Sequence, residues 1–434
     1  MKGEYSMRYN AVMKSARSLT TSRVPQHGIR GHKSKRQFTG KTFIIRPYEI
    51  RPKSSEMHFR YETVLRDGST VSFVDVVTFH EATPDMWQRL PAPLLASCAQ
   101  SLSIMLGINY WMPHAAPEIQ IQGFSLTKAQ AEFWNELYTK GLGEFFFVEN
   151  IDFRGLISFP FDETASVESA RLPHLSGTLL ANGGGKDSVV SAELLSEHGI
   201  PFTLFEWRSR QSQQTIAKVI GAPSIMVTRE WDRSLARMCL EEPYEFAFPL
   251  VSTLTFFATI AAALHGFRFI VLSNESSSDS GNVEYYGLSV NHQWSKSAEA
   301  EVLIQKYIND FISPDIIHFS LLRPFTELEA TRRFSKYPYY FSLFSSCNNL
   351  FGPRRVPEKI AGQGYWCGRC AKCVFIFASL SAFLKRDVVI NIVGEDLYSD
   401  SNLMPMFRRL LGLEGDKPFD CVGVSDEMIV AMHE

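Results

Sequence analysis

Between residues 178 and 273, short apolar runs alternate with amphipathic stretches that close on glycine. Residues 178–181 read as a strand, 188–198 as a helix stopping at Gly199, and 201–207 as a strand. Residues 212–220 read as a helix stopping at Gly221, 224–228 as a strand, 251–265 as a helix stopping at Gly266, and 267–273 as a strand. Such alternation predicts a parallel sheet with right-handed crossovers. A glycine just past each helix supplies the left-handed cap. Ligands in such sheets bind beyond the carboxyl ends of the strands, so the loops after Ala181 and Ser273 are expected on one rim.

Elsewhere the pattern is looser. Residues 71–78 read as a strand, 91–107 as an apolar helix ending at Gly107, and 129–138 as an amphipathic helix. Residues 374–384 and 407–411 read as helical. The expected organisation is a basic arm (1–42), an N-terminal accessory or substrate domain (43–171), a nucleotide-binding domain (172–312) and a loop-rich, Cys-rich C-terminal domain (313–434). The fold class is α/β, a parallel sheet with flanking helices. The uncharged run 246–264 approaches the roughly 20 apolar residues a bilayer requires. It holds Pro249, Ser252, Thr253, Thr255 and Thr259 and leads into a strand, so a buried helix is expected and no membrane span.

Composition adds constraints. Of 434 residues, 45% are hydrophobic and 21% charged, enough for a sizeable core in two or three domains. The net charge of −2 gives no reason to expect nucleic acid or an anionic membrane as partner. The 13% of aromatics, much of it Phe, reads as core and pocket lining. In residues 1–42 ten Lys and Arg face the single acid Glu4, with no apolar periodicity. That is a solvated arm, with the composition of a transit peptide or an over-extended start as alternatives. No secretory signal is expected. Seven cysteines, three of them at 367, 370 and 373, suit a reducing, cytoplasmic compartment and a metal site better than disulfides.

The loop Asn182-Gly183-Gly184-Gly185-Lys186-Asp187-Ser188 joins a strand to a helix. Its glycines bring bare N–H groups close to a ligand, and the helix N-terminus attracts anions. Lys186 supplies a cation, Asp187 a carboxylate for Mg²⁺, and Ser188 an N-cap with a spare hydroxyl. Leu180 and Asp187 exclude the kinase-type phosphate loop, and Ser188 excludes Gly-x-Gly-x-x-Gly. The loop does resemble the pyrophosphate loop (Ser-Gly-Gly-x-Asp-Ser) of the ATP pyrophosphatase superfamily, with Gly183 in place of the usual Ser. That resemblance implies a HUP-like core, ATP bound at 182–188, and cleavage between the α- and β-phosphates to make an adenylate.

Cys367-x-x-Cys370-x-x-Cys373, with Cys347 upstream, has the spacing of thiolates around one tetrahedral ion. Zinc is the default reading and an iron–sulfur cluster the alternative, although Phe377 stands where the ferredoxin pattern has its fourth Cys. The arrangement is similar to the structural Cys₄ zinc of the 7-cyano-7-deazaguanine synthases. A third constellation is Ser273-Asn274-Glu275-Ser276 at a strand end, with Asn274 as a nucleotide contact, followed by Asn291-His292-Gln293-Trp294-Ser295-Lys296-Ser297. Buried polar groups cost free energy unless they are bonded or used. Ser295 or Ser297 reads as a helix N-cap.

The order of these motifs resembles the UDP-N-acetyl-muramoyl-L-alanyl-L-glutamate epimerases of bacterial cell-wall synthesis. The matching stretches include 183–190, 273–275, Gly281-Asn282, 290–297, 319–324 with Glu327-Leu328, 346–348, 366–373 and 417–423. The likeness covers about residues 58–425. It implies inversion of the terminal glutamate of a UDP-linked muramoyl dipeptide, with ATP and Mg²⁺ consumed to give AMP and pyrophosphate. Adenylation removes the carboxylate charge that makes the α-hydrogen so weakly acidic. A base then takes the proton from one face and an acid returns it on the other. The candidates are His292 and Lys296, with Glu275 or Cys347 opposing, and Arg323 as a fork for carboxylate or phosphate. The oligomeric state stays open. The alternatives are an amidating or tRNA-modifying pyrophosphatase of the same loop type, and a nucleotide-binding sensor without turnover.

Overall fold

The computed structural model describes residues 38–207, 211–241, 247–351 and 366–433. Its strands are β1 (Gly40–Ile45), β2 (Glu49–Arg51), β3 (Glu56–Leu65), β4 (Thr70–Phe79), β5 (Glu118–Ile121) and β6 (Thr178–Ala181). They continue with β7 (Phe202–Trp207), β8 (Ser224–Glu230), β9 (Phe269–Leu272), β10 (Val283–Tyr285), β11 (Leu288–Val290) and β12 (Ile317–Ser320). Among the described residues, ten strands form one sheet in the order β12-β9-β6-β7-β8-β4-β3-β1-β5, with β2 paired to β3. The strands β12, β9, β6, β7 and β8 run parallel. The antiparallel strands β4, β3 and β1 continue the same sheet through β8 and β4. β10 and β11 form a separate hairpin.

The central parallel strands β6, β7 and β9 carry runs of buried residues on both faces, as apolar runs without alternation require. Leu180, Leu204 and Val271 pack with Ala192 and Leu195 of the helix Lys186–Glu197. Their neighbours Leu179, Phe205 and Ile270 point the other way. On that face they join the main core, which includes the helices Ala92–Trp111 and Leu250–His265. Gly266 caps the latter helix at φ 80°.

Ala92–Trp111 is, among the described residues, long and apolar enough to cross a membrane by length and composition; here it is buried in the main core. It runs one turn past Gly107, where a stop was expected. Gly107 lies where the helix passes Tyr61 and Tyr138, and a Cβ there would sit 3.2 Å from the Tyr61 ring. The glycine serves close packing, not termination.

Three other local expectations change. The arm was expected to reach residue 42, but Gly40–Thr42 already belong to β1, which pairs with β3 and β5; residues 1–37 lie outside the described residues. Gly185, not Ser188, is the N-cap of Lys186–Glu197, and the Ser188 hydroxyl donates to the Gly185 carbonyl at 2.9 Å. The region after 313 contributes β12, so the sheet runs through both expected boundaries, at 171 and 312.

A second core gathers Phe334, Phe344, Trp366, Val374, Phe377 and Phe407. It reaches Val189 and Val190 on the helix that follows the glycine loop. The C-terminal segments are thereby held against the carboxyl rim of the sheet.

Candidate active site

The glycine loop leaves β6 at the rim, next to the end of β9. Asn182 is buried and shapes the loop. Its Nδ2 donates to Glu206 at 2.9 Å and its Oδ1 accepts from the Gly184 N–H at 3.1 Å. Gln213 donates to the Asn182 carbonyl at 2.7 Å. Gly184 has φ +74°, a left-handed conformation, and a Cβ would lie 3.0–3.2 Å from Gln213 and Ser212. No Cβ contact lies within 4 Å at Gly183 among the described residues, so that position stays open to a ligand.

Three carboxylates converge below the loop. Asp187, Glu275 and Glu327 each place an oxygen within 4.8 Å of the others. They come from the helix start after β6, the loop after β9, and the first residue of the helix Glu327–Phe334. Lys186 pairs with Asp187 and, at 3.2 Å, with Glu327. Lys372 donates to Glu327 at 2.7 Å. Burial, then Glu327 and Asp187, push the Glu275 carboxyl up to about 8. Glu327 goes the other way: burial is outweighed by Lys186 and Lys372, which hold it well below the usual range. Three carboxyl groups that converge on one point make an oxygen-rich donor set of the kind that fits a hard divalent cation.

Beside this cluster lies the segment 291–297. Lys296 donates to Gln293 at 3.2 Å. Burial depresses its ammonium, but Cys421, Glu275, Glu327 and Asp187 together raise it, so it stays a cation among these groups. The His292 Nδ1 lies 2.5 Å from Glu144, on the helix Gly143–Val148. Burial pushes His292 down, yet Glu144 and the neighbouring Cys421 raise it well above the ordinary range. Ser297 caps the helix Ala298–Phe311 by accepting from Ala300 N–H.

Arg323 is occupied by the scaffold. It donates to the carbonyls of Glu275 at 3.1 Å and Lys296 at 2.6 Å, and to Glu301 at 3.1 Å. It therefore ties the loop after β9 to the segment 291–297 rather than presenting an open fork. Asn274 donates to Ser320 at 2.9 Å, joining the ends of β9 and β12.

Cys347, Cys367, Cys370 and Cys373 bring their sulfurs within 4.8 Å of one another. The backbone N–H groups of Arg369 and Cys370 both point at the Cys367 sulfur, at 3.4 Å. Four convergent thiols with amide support make the donor set of a closed tetrahedral site. This placement puts Cys347 with the cluster, not opposite His292 as an acid or base. The cluster sits at the start of the helix Ala371–Ser381, which delivers Lys372 to Glu327.

Residues 34–321 match the MurL N-terminal domain and residues 343–434 the MurL C-terminal domain. The chain belongs to the MurL family. Similar MurL relatives carry the name UDP-N-acetyl-alpha-D-muramoyl-L-alanyl-L-glutamate epimerase. One from Xanthomonas oryzae pv. oryzae is 32% identical over 79% of this chain and 75% of its own. Another, from a Micromonospora species, is 31% identical over 90% and 86%. A solved predicted subunit of a tRNA methyltransferase from Methanocaldococcus jannaschii overlaps at a TM-score of 0.25 and 16% identity, over 43% of this chain and 94% of that one. That overlap is too loose to bear on the reaction.

In this MurL chain the sequence points to Asp187, Glu275, His292 and Lys296, while Glu327, Lys372, Glu144 and Cys421 join them only in the fold. Glu327, Lys372 and Cys421 stood inside or beside the matching stretches. Glu144 carried no local signal.

Proposed function

We propose that this chain inverts the terminal L-glutamate of UDP-N-acetylmuramoyl-L-alanyl-L-glutamate, consuming ATP and giving AMP and pyrophosphate. The observation that carries this reading is the convergence of the glycine loop, the Asp187–Glu275–Glu327 carboxylates and the cationic Lys296 on one rim, in a chain whose relatives bear the epimerase name. The loop N–H groups at 183–185 and Lys186 bind the triphosphate. Asp187, with Glu275 and Glu327, would hold Mg²⁺, which neutralises phosphate charge. Adenylation of the glutamate carboxylate makes the α-hydrogen acidic. His292 and Lys296 stand on the segment that handles the proton. The nucleotide-linked substrate and ATP place the reaction in the cytoplasm.

Turnover in D₂O tests this. Deuterium is expected at the glutamate α-carbon only with ATP present, and one AMP is expected per inversion committed. Exchange without ATP would remove adenylation from the scheme.

The cysteine cluster is proposed to hold a structural Zn²⁺. Cys370→Ser should lose the metal and lower the unfolding temperature, because ligand loss couples to folding. Iron, or no metal, in the purified wild-type protein would refute this.

A further inference from the structure

The segment 417–423 is bonded to the loops that carry the candidate site. Asn282 donates to the carbonyls of Lys417 at 3.3 Å and Pro418 at 2.8 Å, and Gln293 donates to the carbonyl of Val422 at 3.0 Å. Two residues of the 291–297 neighbourhood thus clamp a strap that carries one thiol. Cys421 is partly exposed and separate from the four-cysteine cluster. Its strap is tied to the His292 segment through Asn282, which also accepts from the His292 N–H at 2.8 Å, and the His292 Nδ1 is bonded to Glu144. Glu144 is buried, so the imidazole is held in orientation by a carboxylate.

From this geometry we infer that Cys421 is a catalytic residue, the thiolate base that removes the glutamate α-proton, with His292 and Glu144 as its positioning pair. The inference rests on the epimerase reading. The Cα–H bond breaks, its proton passes to the Cys421 sulfur, and its electron pair moves into the carbonyl of the adenylated carboxylate. The enolate then collapses onto a proton delivered to the opposite face by the ammonium of Lys296. The resting charges suit this direction. Burial raises the thiol, but Lys296, His292 and Lys372 bring it down to about 6. Lys417, itself lowered by burial, adds a further cation near the sulfur. A thiolate beside a protonated imidazole and a lysine is ionised at neutral pH, as a base for this step must be.

Cys421→Ser is the decisive variant. In D₂O with ATP and the UDP-linked dipeptide, α-deuterium incorporation is expected to fall by at least about 10²-fold, while a single-turnover burst of pyrophosphate is still seen. Incorporation within tenfold of wild type would overturn the assignment. So would a substrate–Cys421 thioester in the wild-type protein by mass spectrometry, since the sulfur would then be a nucleophile. Failure of the epimerase reading is distinct: the wild type itself would show no ATP-dependent exchange. The positioning pair has its own readout. Alkylation of Cys421 by iodoacetamide, followed by peptide mass spectrometry, should have a pH midpoint near 6 in wild type. In Glu144→Gln it should move toward the ordinary thiol range of about 8.5. An unmoved midpoint would remove His292 and Glu144 from that role.

Discussion

At the residue scale, neighbours in the glycine loop have different duties. Lys186 is fully buried and paired with Asp187 and Glu327, whereas the Asp187 side chain keeps 28% exposure. Asp187→Asn is therefore the cleaner probe of phosphate chemistry. It is expected to cut pyrophosphate release by at least about 10²-fold, as loss of other transition-state electrostatic groups does, with a smaller drop in unfolding midpoint than Lys186→Ala, since Glu327 still pairs the lysine. Lys186→Ala should cut the rate as well, but also lower stability, because it leaves two buried or half-buried carboxylates short of a cation. Steady-state pyrophosphate assays beside thermal melts separate the two. A fully active Asp187→Asn would remove the loop from ATP chemistry.

Elements set where these residues stand. β12 and β9 meet in register from Ile317 with Phe269 to Ser320 with Leu272, which brings Asn274 and Ser320 within reach. Inside β12, His318 is 3% exposed, and its Nδ1 bonds Gln305 at 2.8 Å. Burial pulls its pKa from 6.5 to about 4, with only Glu301 opposing. A histidine whose folded value is lowered favours the neutral form in the native state. Its contribution is whole above pH 6.5 and is lost as pH falls toward 4. The loss amounts to about 3 kcal/mol at the acid end. Urea unfolding across that window should show the decline, and His318→Gln should flatten it. An equally steep decline in the variant would place the acid sensitivity elsewhere.

On the scale of the whole molecule, the joint between the antiparallel and parallel halves is β4 against β8. Asp75 of β4 and Arg229 of β8 form a fully buried pair there, with Nε donating at 2.8 Å. Asn109, on the helix Ala92–Trp111, accepts from Arg229 at 2.9 Å, and the guanidinium lies 3.8 Å from the Trp231 ring. Removing one partner strands a buried charge. Asp75→Ala is expected to cost about 3–5 kcal/mol in urea unfolding. A loss under about 1 kcal/mol would mean the joint is held by apolar packing alone.

Local pattern determined much of this protein by itself. The alternation from 178 to 273 predicted the parallel strands, because strand and helix periods and glycine stops are written in adjacent residues. The glycine loop and the three close cysteines were legible for the same reason, since their chemistry depends on short spacing. Tertiary structure decided the rest. Gly107 looked like a helix end because its partners, Tyr61 and Tyr138, are distant in the chain. Arg323 looked like a substrate fork because the carbonyls that occupy it belong to other segments. Glu144, Glu327, Lys372 and Cys421 meet His292, Asp187 and Glu275 across separations that no periodicity encodes. Only burial of both cores brings those charges close enough to shift one another, and that mutual shift is what marks scattered side chains as one candidate site.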